Sequence, residues 1–158
     1  AVASQARAAK IDISDDVFLD IHYLMQPQVQ LIHDGTADPE FVSDFYIRRS
    51  RFILKGQVTP LVSFFFETDM PNWGRGGDWT NPKMFVQDAF VSFNIHRAFK
   101  VDVGLILLPF VHHAGQGATS LATLDYHGGV IRYPAGSTIV WRDTGVMMRG
   151  IVGAGMQL

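Results

Sequence analysis

Residues 45–70 read FYIRRSRFILKGQVTPLVSFFFETDM, and this stretch decides the fold. Apolar and polar side chains alternate along both halves of it, before and after a turn at residues 57–60. In the first half, Phe52 and Leu54 alternate with Arg51 and Lys55. A period of two is typical of a β-strand whose two faces meet different surroundings. The stretch therefore predicts a β-hairpin with one apolar face and one charged face.

Two kinds of surroundings produce such a pair of faces. In a soluble protein the apolar face packs on a core and the charged face meets water. In an outer-membrane barrel the apolar face meets lipid and the charged face lines the lumen. The pattern in the rest of the sequence is needed to distinguish the soluble protein from the outer-membrane barrel.

The composition excludes several classes of protein. The 158 residues are enough for one domain, and 47% of them are hydrophobic. A net charge of -2 gives no basic surface, so no nucleic-acid partner is expected. The absence of cysteine excludes disulfides and thiolate metal sites. No run of about 18 apolar residues is present, so no transmembrane helix is predicted, whereas a barrel strand needs only about 9–11 residues.

The predicted connections alternate between long and short along the chain. After a lead-in over residues 1–16, strands are predicted at 17–33, in the two halves of 45–70, and at 84–95, 99–110 and 139–152. Long connections are predicted at 34–40, 70–83 and 111–138, and short turns at 57–60, 96–98 and 153–155. This alternation is typical of an antiparallel up-and-down transmembrane β-barrel. Residues 17–158 are therefore predicted to supply about six or seven strands of an all-β barrel.

Such a number of strands leaves two unpaired edges. A bilayer does not tolerate unpaired strand edges, because the exposed backbone groups find no water there. The barrel is therefore predicted to be larger, with the remaining strands of the same barrel as partners of this chain.

Four motifs resemble one known family. They are Phe-Tyr-Ile-Arg-Arg-Ser-Arg at 45–51 with Leu-Lys-Gly at 54–56, Gln-Asp-Ala-Phe-Val at 87–91, Val-Gly at 103–104 with Leu-Pro-Phe at 108–110, and Arg-Asp at 142–143 with Gly145 and Gly150. In this order they resemble the phosphate-selective porin O and P family over residues 45–150.

The resemblance implies a sixteen-stranded porin, usually a homotrimer, in the outer membrane of Gram-negative bacteria. It implies passive diffusion of small hydrophilic solutes or ions, with anions such as phosphate among the candidates, and surroundings of outer-membrane lipid and lipopolysaccharide. The third long connection, residues 111–138, would narrow the lumen, although a cap exposed to solvent is equally compatible. Residues 104–107 read Gly-Leu-Ile-Leu where the family commonly has Gly-Gln-Phe-Lys, so a polar and a basic residue of the family pattern are lost and the resemblance supports phosphate selectivity less strongly.

The alternation assigns side chains to each surface of the predicted barrel. The predicted pore-lining residues are Arg49, Arg51, Lys55, Glu67, Asp69, Asp88, Lys100, Asp102, Asp143 and Arg149. The predicted lipid-facing residues are Phe52, Leu54, Val62, Phe64, Phe66, Val91, Phe93, Val101 and Val103. Because acids and bases are mixed in the first set, its arginines and lysines can either attract anions or pair with neighbouring acids such as Glu67, Asp69 and Asp88.

No enzyme, cofactor or metal site is predicted. His112 and His113 are adjacent, and neighbours on a strand point to opposite faces, so they chelate poorly. No acid–base pair or catalytic triad stands out. Two rival functions remain: a structural outer-membrane barrel that anchors or sheathes another assembly, and a soluble β-sandwich binding module. The sandwich predicts that Val62, Phe64, Phe66, Val91 and Phe93 are buried against protein.

Overall fold

The structure, a computed structural model, consists of β-strands and one 3₁₀ turn in the part of the chain it describes. The described residues are 9–33, 41–109, 117–121, 125–126, 141–152 and 156–157. The strands are β1 (Ala9–Ser14), β2 (Val17–His33), β3 (Phe41–Gln57), β4 (Val62–Asp69), β5 (Phe85–His96), β6 (Phe99–Leu107), β7 (Arg142–Arg149), β8 (Ile151–Val152) and β9 (Met156–Gln157), and the 3₁₀ turn is Arg75–Gly77. Among these residues no helix has the length and apolar character needed to span a membrane.

Strands β1 to β7 form one antiparallel sheet in which each strand lies beside its neighbour in sequence. The predicted all-β, antiparallel, up-and-down arrangement is confirmed. Among the described residues the sheet is not closed, because β1 pairs with β2 alone and β7 pairs with β6 alone. Strands β8 and β9 pair with each other in a separate two-stranded sheet.

The connections divide between the two ends of the sheet. In an antiparallel meander, successive connections fall at opposite ends. The short ones, 15–16, 58–61 and 97–98, all fall at one end, which we call the short-turn end. The strand ends that residues 34–40, 70–84 and 108–141 join fall at the other, the long-loop end. The predicted alternation of lengths is confirmed from β1 to β7, and the turn predicted at 153–155 lies outside the described residues.

Some strand limits differ from the prediction. The residues predicted as a lead-in include β1, which pairs with β2 from Ala9↔Ile21 to Ser14↔Val17. Its six residues, Ala-Lys-Ile-Asp-Ile-Ser, do alternate apolar and polar side chains, a signal that the prediction of a lead-in overlooked, and β2 provides the partner strand. The strand predicted at 139–152 is shorter: β7 ends at Arg149, and residues 151–152 pair with β9 instead.

The register aligns like side chains in rows across the sheet. One row consists of Leu19, Gly56, Phe64, Val91, Val103 and Val146. The next row along the strands points to the opposite face and consists of Phe18, Gln57, Ser63, Ser92, Asp102 and Met147. We call the first the outer face and the second the inner face.

Burial is inverted relative to a soluble protein. On the outer face Phe52 is 41% exposed and Val146 is 62% exposed, and the described strands pack beside their sheet neighbours with no second layer over this face. On the inner face Arg49 is 3% exposed and Asp102 is 1% exposed. Large apolar side chains are normally the buried ones, and charged side chains are buried only when paired. The sheet therefore exposes apolar side chains and covers charged ones.

Two β-bulges preserve the separation of apolar side chains on the outer face from charged side chains on the inner face. The register passes from Gln26↔Arg49 to Pro27↔Ile47, so Arg48 is an extra residue in β3. A second shift, from Glu67↔Asp88 to Thr68↔Val86, makes Gln87 an extra residue in β5. An extra residue reverses the alternation on one strand. The first bulge puts Tyr46 on the inner face, 2% exposed, with its hydroxyl donating to Gln30.

Candidate functional site

The structure groups the sequence-predicted residues as two sets. By strand alternation and register, all ten predicted pore-lining residues lie on the inner face and all nine predicted lipid-facing residues lie on the outer face. What each face contacts in the cell remains a prediction. The inner face, which gathers the charged groups, is the candidate functional site.

Arg51 is the centre of the first charge cluster. Its guanidinium Nη1 lies 2.8 Å from Glu67 Oε1, and its Nη2 lies 3.0 Å from Asp69 Oδ2. All three side chains are covered, at 13%, 9% and 6% exposure. Glu67 and Asp69 lie two residues apart on β4, so they share a face and both reach the arginine on β3. Arg51 therefore neutralises two acids in the sheet wall.

A second cluster joins β5, β6 and β7. Asp102 accepts hydrogen bonds from the Ser92 hydroxyl and from the Arg149 guanidinium. Ser92 lies directly opposite Asp102 in the register, and Met147 lies opposite it on the other side. Asp102 is the most buried charged group of the described residues, and its two hydrogen-bond partners come from the strands on either side of it.

Asp88 has a partner that the sequence analysis missed. Arg142 Nη2 donates to Asp88 Oδ2 at 3.1 Å, and Arg142 Nε donates to Asp88 Oδ1 at 3.3 Å. Arg142 begins β7 beside Trp141, which is 2% exposed and has a left-handed φ of 58°. The Arg142–Asp88 pair joins β7 to β5 across β6. A periodic pattern in the sequence does not indicate which residues pair between strands that are not neighbours.

A third cluster lies toward the long-loop end, where the β6–β7 connection contacts the sheet. Asp125 of that connection accepts from Arg48 Nε at 2.6 Å and from Arg49 Nη2 at 2.5 Å. Arg49 also donates to Gln26 Oε1 at 2.9 Å and stacks over the Tyr126 ring. The bulge brings Arg48 to the same carboxylate as Arg49, although the two are adjacent in sequence.

Other contacts hold the described residues of the same connection against the inner face. The Tyr126 ring packs edge-on against Trp141, with 5.0 Å between the ring centroids. Gln26 donates to the backbone carbonyl of Ala118 at 3.4 Å. The described residues of this connection therefore lie against the inner wall rather than away from it.

The electrostatics of Asp125 fit this arrangement. Partial burial alone would raise its pKa, but the Tyr126 backbone N–H and the Arg48 and Arg49 side chains donate hydrogen bonds to the carboxylate and lower the pKa below its ordinary value. Asp125 is therefore ionised at neutral pH and binds both arginines as a charged group.

The arginines and acids of the inner face are largely paired with one another. Of the two roles considered for Arg49, Arg51 and Lys55, pairing accounts for both arginines, and Lys55 Nζ lies 3.7 Å from Asp20. The partner of Arg49, however, is Asp125 of the loop and not an acid of a neighbouring strand. An excess of uncompensated arginine on this face is therefore absent among the described residues.

The short-turn end of the inner face is different in character. It contains a groove of about 510 Å³. Phe65 and Phe90 stack there, with 5.4 Å between centroids and 22° between ring planes. Lys55 and Lys100 also line the groove, and the described residues give Lys100 no ion-pair partner. The sequence analysis did not single out this aromatic pair, because two phenylalanines in alternating runs look like ordinary strand residues.

Metal coordination finds no support in the described part of the chain, where no three His, Asp or Glu side chains form a group that could hold an ion. His112 and His113 lie outside the described residues. No protein-family model, curated protein or solved structure matches this chain.

Proposed function

We propose that this chain is part of a porin-like outer-membrane β-barrel through which small hydrophilic solutes and ions diffuse passively. One observation carries the proposal: a single-layer antiparallel sheet exposes its apolar face and covers its charged face. A lipid bilayer around the sheet and water within it give each face a favourable solvent. Further strands complete the barrel across the open edges of β1 and β7.

The strand lengths and connections support the same proposal. Strands β5 and β6 have 12 and 9 residues, close to the roughly 9–11 that a tilted strand needs to cross a bilayer. The short turns at one end and long connections at the other match the periplasmic and external ends of such barrels. The resemblance of residues 45–150 to the phosphate-selective porin O and P family agrees with it, and the homotrimer it implies is part of the proposal.

The paired charges favour a weakly selective channel. Arg49 and Arg51 are bound by acids, so their positive charge is largely neutralised where a solute passes. A strongly selective pore instead presents rings of one charge sign. We therefore propose a general diffusion channel and not a dedicated phosphate channel.

The test is reconstitution of the full-length protein in a planar bilayer under a potassium chloride gradient. The expected result is stepwise conductance with a reversal potential close to zero. A large reversal potential of either sign would contradict weak selectivity. Absence of conductance would overturn the channel and favour a barrel that anchors or sheathes another assembly.

A second experiment tests which face meets lipid. The chain contains no cysteine, so single cysteines can be introduced without background. Val146→Cys places the thiol on the outer face and Met147→Cys places it on the inner face of the same strand. In vesicles, a charged methanethiosulfonate reagent should modify the cysteine at 147 and spare the one at 146. Rapid modification at 146 would contradict a lipid-facing outer surface.

A further inference from the structure

The groove at the short-turn end of the inner face has a composition that a general diffusion channel does not require. Asp20, Lys55, Phe65 and Phe90 form one register row in its lining. The stacked rings of Phe65 and Phe90, together with Phe18, therefore stand among lining residues that are mostly charged or polar. An aromatic ring gains little stabilising free energy from contact with water, so the position of these rings on this face favours a further apolar contact.

The two rings leave space for a third. Phe65 and Phe90 face each other, so each has one ring face that the other does not cover. The groove that they line has a volume of about 510 Å³. The residue opposite Phe90 on β6 is Gly104, so no β6 side chain stands beside the Phe90 ring in this row. The groove can therefore accept a flat ring in stacking contact with Phe90.

The charges of the groove favour an anion. Lys55, Lys100 and Arg149 line it together with Asp20. Arg149 is bound by Asp102, and Asp20 is the acid nearest to Lys55. Lys100 is left as the cation to which the described residues give no ion-pair partner. One uncompensated positive charge matches a ligand with one negative charge.

The neutral polar side chains of the groove already form hydrogen bonds within the protein. Asn94 Nδ2 donates to the Ser63 hydroxyl at 2.9 Å, the Ser92 hydroxyl donates to Asp102, and Gln57 Nε2 donates to the Asp16 carbonyl at 2.9 Å. A sugar needs several free donors and acceptors for its hydroxyls. The groove therefore suits a planar apolar ring with one charged group better than it suits a polyhydroxy ligand.

We infer that this groove is a binding site for small aromatic monocarboxylates, whose ring stacks on Phe90 and Phe65 and whose carboxylate pairs with Lys100. The volume lies within the usual range for small-molecule sites. The inference rests on the proposed function, because it takes the inner face to meet water through which solutes pass. It deepens that function by naming a class of solute that the wall would retain.

The test is equilibrium binding of benzoate to the purified full-length chain in detergent, followed by saturation-transfer NMR. Saturable binding is expected, with little displacement by acetate, which lacks the ring, and no comparable binding of glucose. The Phe65→Leu/Phe90→Leu variant keeps apolar side chains without the rings and should bind benzoate about tenfold more weakly.

Two further variants keep the test decisive if the double variant does not fold. Lys100→Met keeps both rings, removes the cation proposed to pair with the carboxylate, and should also weaken benzoate binding. Phe93→Leu makes the same Phe-to-Leu change on the outer face and should leave the affinity unchanged. Equal binding by wild type and Lys100→Met, or equal weakening by Phe93→Leu, would overturn the inference, as would tighter binding of glucose than of benzoate.

Conductance measured on the same preparations separates the two proposals. Benzoate binding without any channel current would overturn the proposed channel function and support the proposed binding site. Current that benzoate does not reduce, together with no saturable benzoate binding, would overturn the binding site and support the channel function.

Discussion

The two faces of the sheet are built from the same strands, yet they are stabilised in different ways. The outer face consists of apolar side chains that touch their cross-strand neighbours and remain exposed, as Val146 does. The inner face consists of charged side chains that bind one another and are covered, as Arg51 does with Glu67 and Asp69. The comparison teaches that a covered charged face is stabilised by specific partners, as Asp102 is by Arg149, whereas an apolar face needs none. Under the proposed function, lipid supplies the nonpolar surroundings of the outer face.

The largest expected effect comes from removing one member of an inner-face cluster. Arg51→Met leaves Glu67 and Asp69 covered and without their arginine, which should cost about 3–5 kcal/mol in the free energy of unfolding. The measurement is urea unfolding in lipid vesicles, followed by tryptophan fluorescence. Lys55→Met is the control, because its side chain is 45% exposed and 3.7 Å from Asp20, and it should cost about 0–1 kcal/mol. Equal costs would mean that water screens the Arg51 cluster as well.

The next effect places a charge on the outer face. Val146→Arg should destabilise the protein in vesicles by about 2–4 kcal/mol if this residue meets the middle of a bilayer. Met147→Arg is the matched control, since it adds the same side chain to the inner face at the next position. On a water-exposed surface a change at a 62% exposed residue is nearly neutral. A neutral Val146→Arg would therefore argue against lipid on this face.

A smaller loss of stability is expected from a substitution that tests how closely β5 and β6 approach each other. Gly104 has a φ of +140°, and an added Cβ would lie 2.3 Å from the Ala89 carbonyl oxygen. Gly104→Ala should therefore cost about 1–3 kcal/mol through backbone strain and displacement of β5. Gly145→Ala should be close to neutral, because its Cβ meets no atom within 4 Å. Thermal unfolding of the two variants compares them directly, and a stable Gly104→Ala would contradict the observed backbone conformation.

The smallest effect concerns the β6–β7 connection. The pKa of Asp125 is lowered from 3.8 by its hydrogen bonds, against the opposing effect of burial. A lowered pKa stabilises the docked connection fully above the ordinary pKa, and this contribution is lost as the pH falls through the lowered value. The connection should therefore remain docked at pH 5 and be released well below pH 4. Pepsin cleavage within it should accelerate over that acidic range.

Asp125→Asn supplies the control for the pH experiment. The variant cannot form the charged contact with Arg48 and Arg49, so its connection should be cleaved rapidly at each pH at which pepsin is active. If the wild type and the variant were cleaved at the same rate at pH 5, Asp125 would not be what holds the connection on the inner face.

Much of the fold could be predicted from alternation. Lys55 and Phe64 were assigned to opposite faces correctly, because a period of two needs only the local sequence and a known strand. Strand β1 had a signal in the alternation of Ala-Lys-Ile-Asp-Ile-Ser that the prediction of a lead-in overlooked, and its pairing with β2 is a tertiary contact. The bulge at Arg48 had a signal in Pro27, which interrupts the regular ladder. The sequence did not show that the bulge turns Arg48 toward Asp125.

The sequence predicted most of the residues of the candidate site, but it did not predict which of them form ion pairs. Arg149 and Asp102 were both assigned to the inner face, but their pairing depends on the register between β6 and β7. The sequence of the long connection between these strands does not show that register. Arg142 was missed because alternation within the predicted strand places it on the face opposite Asp143, and Asp125 was missed because it lies in a connection, where periodicity carries no information.

The amino-acid sequence by itself determined that the chain forms alternating strands with unlike faces, in a meander with short turns at one end. Local steric alternation and the apolar pattern suffice for that. Tertiary structure alone decided which acid neutralises which base, that residues 117–121 and 125–126 lie against the inner wall, and that Phe65 and Phe90 stack beside open space. These features depend on register and on contacts between distant residues, and neither is written in a local pattern.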